Sequence, residues 1–181
     1  VLSGGFVIGD GHLIRGCRLK EVVTLSAVST VLNISGREYA TPLNEIKAVG
    51  TQGARHFVIY EGSLILSHLR LTGGKSVNNH HGLGGSIYVH GEAIIVLLHS
   101  IEFPGCGRGV SCATRGGAVF AEARMTGGTT VSGVYLNITD STFRGNTATH
   151  SGGAIHLVGP VSMSVAHSTF VNNTADFSAA H

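Results

Sequence analysis

Apolar and polar residues alternate with a period of two over short stretches of the chain. Val134, Leu136 and Ile138 interleave with Tyr135, Asn137 and Thr139, and Val161, Met163 and Val165 interleave with Ser162 and Ser164. Such alternation puts one set of side chains on each face of a β-strand. The same pattern runs through Val22-Val23-Thr24-Leu25 and Val31-Leu32-Asn33-Ile34, and apolar clusters stand at Leu64-Ile65-Leu66 and at Leu69 and Leu71. The predicted strands are three to five residues long and separated by Gly, Asn and Thr-Ala turns, which leaves no room for a helix. Val, Ile and Thr together make up 46 of the 181 residues, and β-branched side chains favour strands over helices.

The strands recur with a fixed order. Ser141-Thr142-Phe143-Arg144-Gly145-Asn146-Thr147-Ala148 returns 27 residues later as Ser168-Thr169-Phe170-Val171-Asn172-Asn173-Thr174-Ala175, with six of eight positions identical. A second element, Gly-Gly-small-aliphatic, stands at Gly84-Gly85-Ser86-Ile87, Gly116-Gly117-Ala118-Val119 and Gly152-Gly153-Ala154-Ile155. A period near 30 residues carrying two or three short strands fits one turn of a parallel β-helix, in which each repeat buries its apolar face against its neighbours. A β-sandwich also spaces its strands regularly, but it would not repeat two motifs in one order. The expected fold class is therefore all-β, a single-stranded parallel β-helix of about five coils of 27–36 residues forming one domain over residues 1–181. Residues 61–181 hold the regular coils, and residues 1–60 are degenerate coils or a cap. The Gly-Gly pair permits a tight corner with positive φ. Asn146 and Asn173, one coil apart, are expected to stack as a turn ladder.

The Gly-Gly-Ala-Ile at 152–155 and the Phe-x-x-Asn at 143–146 and 170–173 resemble the paired repeat motif of the polymorphic outer-membrane protein family. The resemblance covers roughly residues 64–181. It implies right-handed coils of the pectate-lyase type and a surface-displayed adhesive or structural role. Leu71 and Gly74 depart from Phe and Asn in one coil, Cys106 stands for Asn in another, and Ala179-Ala180 occupies a Gly-Gly position.

Charged residues are only 12% of the chain and the net charge is +2, without runs of one sign, so no footprint for nucleic acid or anionic lipid is present. The longest apolar run, Ala93 to Leu98, is far short of the about 20 residues a membrane helix needs. No basic, apolar and small-residue segment follows Val1, so any secretion signal is expected to have been removed, and the chain is expected to be a fragment or a subunit of a larger assembly.

Polysaccharide-cleaving β-helices need several carboxylates on one face. Asp occurs only at positions 10, 140 and 176, which argues against catalysis. On the motif alignment Arg70, Glu102, Thr142 and Thr169 form one outward column, and His68, Ser100, Asp140 and His167 the next. Arg70–Glu102 and Asp140–His167 are then expected as neighbours on adjacent coils. Eleven His are present, among them His80, His81, His90 and His99, yet their spacing has no metal-ligand pattern. No metal, cofactor or catalytic residue is expected. Tyr88 and Phe120 align with His156, and these rings are either core or a sugar-binding platform.

Three N-glycosylation sequons stand at Asn33, Asn137 and Asn172. Asn137 lies between inward Leu136 and Ile138 and Asn172 beside a turn, so glycans there would cover a sparsely charged surface if the source is eukaryotic. Cys106 and Cys112 flank five residues, and a disulfide between them fits an oxidising compartment. Cys17 is left buried or paired outside the chain. The expected function is a non-enzymatic extracellular or cell-surface element, structural or adhesive. A lyase- or epimerase-like enzyme and a carbohydrate-binding module are the alternatives. Because Asn173 to His181 ends within a coil, end-to-end stacking of copies or continuation in a longer chain is expected, with N-linked glycans and carbohydrate as further partners.

Overall fold

The computed structural model describes residues 17–19, 23–39, 43–49, 54–76, 82–106, 111–124 and 133–176. Its strands are β1 (Cys17–Leu19), β2 (Val23–Ser35), β3 (Asn44–Ala48), β4 (Phe57–Thr72), β5 (Ile87–Gly91), β6 (Ile95–Phe103), β7 (Ala113–Arg115) and β8 (Val119–Ala123). They continue as β9 (Val134–Thr139), β10 (Thr142–Arg144), β11 (Thr147–Ser151), β12 (Ile155–Val158), β13 (Val161–Ala166), β14 (Thr169–Val171) and β15 (Thr174–Ala175). Every pairing among them is parallel, and each joins a strand to its counterpart one coil away. The molecule is a parallel β-helix. No described helix is long and apolar enough to cross a membrane.

Four faces wind round the axis. The first stacks the starts of β2 and β4 with β5, β8 and β12. The second stacks the end of β2, the middle of β4, the start of β6, β9 and β13, which makes five rungs. The third stacks β1, β3, the ends of β4 and β6, β10 and β14. The fourth is short and holds β7, β11 and β15. Parallel pairing thus reaches β1, β2 and β3 in the N-terminal third. Coil lengths vary more than 27–36 residues: Asn44 pairs with Leu69, 25 residues on, and Glu102 with Thr142, 40 residues on. The long coil holds both the Cys106–Cys112 loop and the segment between β8 and β9.

Inward side chains repeat from rung to rung. Leu32, Leu64, Val96, Leu136 and Met163 share one column, and Leu71, Phe103, Phe143 and Phe170 share another. The Phe103–Phe143 and Phe143–Phe170 rings stack with centroids 4.6 and 4.7 Å apart, a spacing set by the distance between hydrogen-bonded strands. Phe103 and Phe143 are fully buried, and the dry interior they share with Leu64, Leu98 and Ile101 holds the coils together.

The Gly-Gly corner has two distinct requirements. Gly84, Gly116 and Gly152 all sit at φ near +64°, where an L side chain is strained. A Cβ on the second glycine would instead strike the backbone of the next coil, Gly153 O in the case of Gly117. The small residue that follows, Ser86, Ala118 or Ala154, is buried. At the opposite corner, between the second and third faces, His68, Ser100, Asp140 and His167 occupy the left-handed region with φ from 49° to 54°. Histidine and aspartate enter that region more readily than most side chains. Part of the histidine content therefore has a backbone explanation.

Candidate functional site

Functional side chains belong on the outward positions of these ladders, because the inward ones fill the core. The left-handed corner is the first candidate. Arg70 Nε lies 3.4 Å from Glu102 Oε2 on the adjacent coil, with both side chains more than 40% exposed, so the pair contributes well under about 1 kcal/mol. Asp140 faces His167 at 3.9 Å through Oδ1 and His99 at 3.3 Å through Oδ2, while His68 meets His99 edge-on at 5.1 Å. His99 was absent from the column read in the sequence; it lies in register with Thr139, the residue before Asp140. The hydrogen bond of His99 Nδ1 runs to Thr139 Oγ1 at 2.9 Å, with Asp140 Oδ2 beside it, and His167 lies near the other carboxylate oxygen without a hydrogen bond. No group of three His, Cys, Asp or Glu among the described residues is arranged to hold a metal ion. His80 and His81 lie outside the described residues.

The outward side of the first face is the second candidate. Val58, Tyr88, Phe120 and His156 form one column, in register through β4, β5, β8 and β12. Tyr88 stacks on Phe120 at 5.8 Å and Phe120 on His156 at 5.4 Å. Phe120 points away from the core axis yet is buried, so it serves as a second, outer packing element and not as an open platform. Tyr60, His90 and Glu122 lie beside that column. The Tyr60 ring meets Tyr88 and His90 edge-on at 6.3 and 6.5 Å, and His90 Nδ1 donates to Glu122 Oε2 at 3.0 Å when it carries the proton.

Beneath them Arg55 is buried, its Nε donating to Leu83 O and Gly84 O at 2.7 and 3.0 Å and its guanidinium lying 5.3 Å from the Tyr88 ring centre. Burial lowers the Arg55 pKa and raises that of Tyr88. Burial, and then the charge of Arg115, lowers the pKa of His156. The sequence did carry a signal for this group: aligning Gly84-Gly85 with Gly116-Gly117 sets His90 opposite Glu122.

A buried histidine escaped the sequence reading altogether. His56 is inaccessible, with Nε2 3.1 Å from Ile46 O and 3.0 Å from Thr72 O, and burial pushes its pKa down to about 4. One neighbour comes from β3 and the other from the end of β4, so no local motif announces the cradle.

The asparagines have separate surroundings. Asn33 and Asn137 share one outward column of the second face, Asn33 exposed and Asn137 half-buried. Asn172 occupies a corner at φ 53°. Asn146 is buried: its amide donates to Phe103 O and to Asn173 Oδ1, and Asn173 in turn donates to Phe143 O. Asn173 Oδ1 also accepts from the Asn146 backbone N–H. A parallel serine ladder runs inside the left-handed corner, where Ser141 Oγ accepts from Ile101 N–H and Ser168 Oγ from Ser141 N–H. Cys106 and Cys112 form a disulfide with Cα atoms 5.4 Å apart. The Cys17 side chain lies outside the description.

The coil that joins the Asn146 rung to the Gly152-Gly153 corner decides the family comparison. Residues 140–157 match the Chlamydia polymorphic membrane protein (Chlamydia_PMP) repeat. That segment runs from Asp140 through β10 and β11 into β12, so the match covers three of the four strands of one coil of a polymorphic-membrane-protein-like β-helix. No curated protein matches the chain, and no solved structure matches it. The parallel coils therefore stand on this structure, and the likeness to pectate-lyase-type coils stays an expectation.

Proposed function

We propose that the chain is a non-enzymatic β-helical element of a cell surface, with a structural or adhesive role. The polymorphic membrane protein repeat at 140–157, set within parallel coils, carries this reading. The outer faces support it. Glu102, Glu122 and Asp140 each face a basic or imidazole side chain. The disulfide agrees with an oxidising location outside the cytoplasm. Sequon asparagines on outward or corner positions make glycans a further proposed feature where the source attaches them.

At the last described coil, Met163, Val165 and Phe170 are 43%, 40% and 45% exposed, although their in-register partners Leu136, Ile138 and Phe143 are fully buried. A continuing coil or a second copy covering them would complete the core. The experiment is membrane-impermeant biotinylation of intact source cells, paired with assay of the purified protein on pectin, alginate and glucans. Labelling of the chain without release of reducing or unsaturated ends is expected. An unlabelled, intracellular protein would overturn the location, and sugar release abolished by Asp140→Asn or Glu122→Gln would overturn the non-enzymatic role.

A further inference from the structure

We propose that the outward side of the second face docks a second copy of this chain, with the two helix axes antiparallel. Three outward positions on each of four rungs, from β2, β4, β6 and β9, carry no Asp, Glu, Lys or Arg. The third face, by contrast, carries Glu45, Lys47, Arg70, Glu102 and Arg144. On the second face Val31, Ile95 and Tyr135 stand in one outward column and are 47%, 43% and 41% exposed, and Ile65 and Leu97 are half-buried in the next. Large apolar side chains left in water among uncharged polar ones have the composition of an interface core, from which charge is depleted. The nearest carboxylates, Glu61 and Glu92, belong to the corner that precedes the face.

The order of residues along the columns identifies the occupant. From rung to rung the central column reads Asn33, Ile65, Leu97, Asn137, an order that reversal leaves almost unchanged. A two-fold axis along the strand direction, passing between the β4 and β6 rungs, lays each column on its own counterpart with that order reversed. Ile65 then faces Leu97 of the second copy and Asn33 faces Asn137, and each contact is made twice. A carboxamide both donates and accepts, so two facing Asn side chains satisfy each other. In the first column Val31 meets Tyr135, and in the third Ser35 meets Thr139 and Ser67 meets His99. Apolar groups fall on apolar groups and hydroxyls on hydroxyl or imidazole, with Ser63 against Ile95 the one mixed pair. With no charge on the face, copy does not repel copy.

Four rungs about 4.8 Å apart, each with three outward residues about 6.8 Å apart, cover roughly 400 Å² per copy. A stable complex of free proteins buries about 800 Å² per partner, so this contact is weak, with a dissociation constant near about 0.1 mM. A glycan on Asn33 or Asn137 would occupy the face, so the contact belongs to the chain without sugars there. Chains displayed from two facing surfaces can meet with antiparallel axes, and many weak contacts made together form a firm junction. The contact thereby gives the adhesive role proposed above a second copy as its partner; that step rests on the surface reading, and the contact itself does not.

The test is sedimentation velocity of the unglycosylated chain at concentrations up to about 1 mM, with Met163→Lys and Phe170→Lys present to block contact through the end of the stack. A dimer is expected, as strong in high salt as in low, because no ion pair joins the copies. Leu97→Asp should raise its dissociation constant at least tenfold and Tyr135→Ser several-fold. Circular dichroism establishes that each variant is folded, and Tyr135→Ser, which adds no charge, serves as the second variant should Leu97→Asp unfold. Cysteines read the register: with Cys17→Ser to remove the remaining thiol, Asn33→Cys together with Asn137→Cys should give a covalent dimer on mild oxidation, and Asn33→Cys alone, whose two copies stand three rungs apart, should not. A monomer at every concentration overturns the proposal, as does a dimer indifferent to both face variants, a dimer broken by salt, or crosslinking by Asn33→Cys alone. Those results leave surface labelling of intact cells unaffected, so failure here and failure of the surface reading are distinguishable.

Discussion

His56 is the residue whose burial has the clearest measurable consequence. Its folded pKa of about 4 lies below the ordinary value of 6.5 because the charged imidazole would be desolvated. The unfolded chain therefore binds the proton more readily. The stability associated with neutral His56 is complete above pH 6.5 and is lost as pH falls towards 4. Between pH 7 and pH 5 the loss should be about 2 kcal/mol, from one pKa unit being worth about 1.4 kcal/mol. Urea unfolding at the two pH values, with wild type and His56→Gln compared, checks it: the variant should be less stable at pH 7 but lose less on acidification. Equal losses in both proteins would place the acid sensitivity elsewhere.

At the scale of the coil, the two glycines of each corner should behave differently from the glycine at the next turn. Gly117→Ala forces a Cβ against the backbone oxygen of Gly153, and neither coil can retreat without breaking ladder hydrogen bonds, so a loss of about 3 kcal/mol is expected. Gly145 also has φ +64°, but a Cβ there would meet nothing nearer than Pro104 O at 3.9 Å. Gly145→Ala then carries only the left-handed backbone cost of about 1 to 2 kcal/mol. Gly145→Asn should be milder still, because Asn172 occupies the same position one coil on with φ 53°. Denaturant midpoints of the three variants check the ranking; Gly117→Ala unfolding no earlier than Gly145→Ala would show that the corner can yield.

These motifs were legible in the sequence because each coil depends on a residue type that little else replaces: glycine for the corner, Phe and Asn for the column beneath it. The outward columns through Arg70 and through Asp140 followed from the same register. His99 beside Asp140, and the Arg55–Tyr88 stack, depend on segments many residues apart, which spacing does not encode. The burial of outward Phe120 was likewise illegible, since alternation reports which face a side chain takes and not what lies above it.

On the scale of the whole molecule, each rung is held by its neighbours, so stability should be graded along the axis and not uniform. In β9, Val134, Leu136 and Ile138 lie between rungs on both sides and are fully buried or nearly so. One rung further, β13 pairs with β9 on one side, and Met163 and Val165 keep about 40% of their surface open. Phe170 has Phe143 against one of its faces, and its 45% exposure leaves much of the ring in water. Amide exchange in β13 and β14 should therefore run well ahead of that in β6 and β9 when the chain is dilute. If a further coil or a second copy completes this end, exchange in β13 and β14 should slow as protein concentration rises, or when more of a parent chain follows. Met163→Lys with Phe170→Lys, which puts two ammonium groups on the end of the stack, should abolish that slowing and leave β6 unchanged. Hydrogen exchange followed by mass spectrometry, with sedimentation velocity on the same samples, reads both effects. Exchange in β13 already as slow as in β9 while the protein sediments as a monomer would mean that the exposed end is stable uncovered, and the case for a continuing coil would lapse.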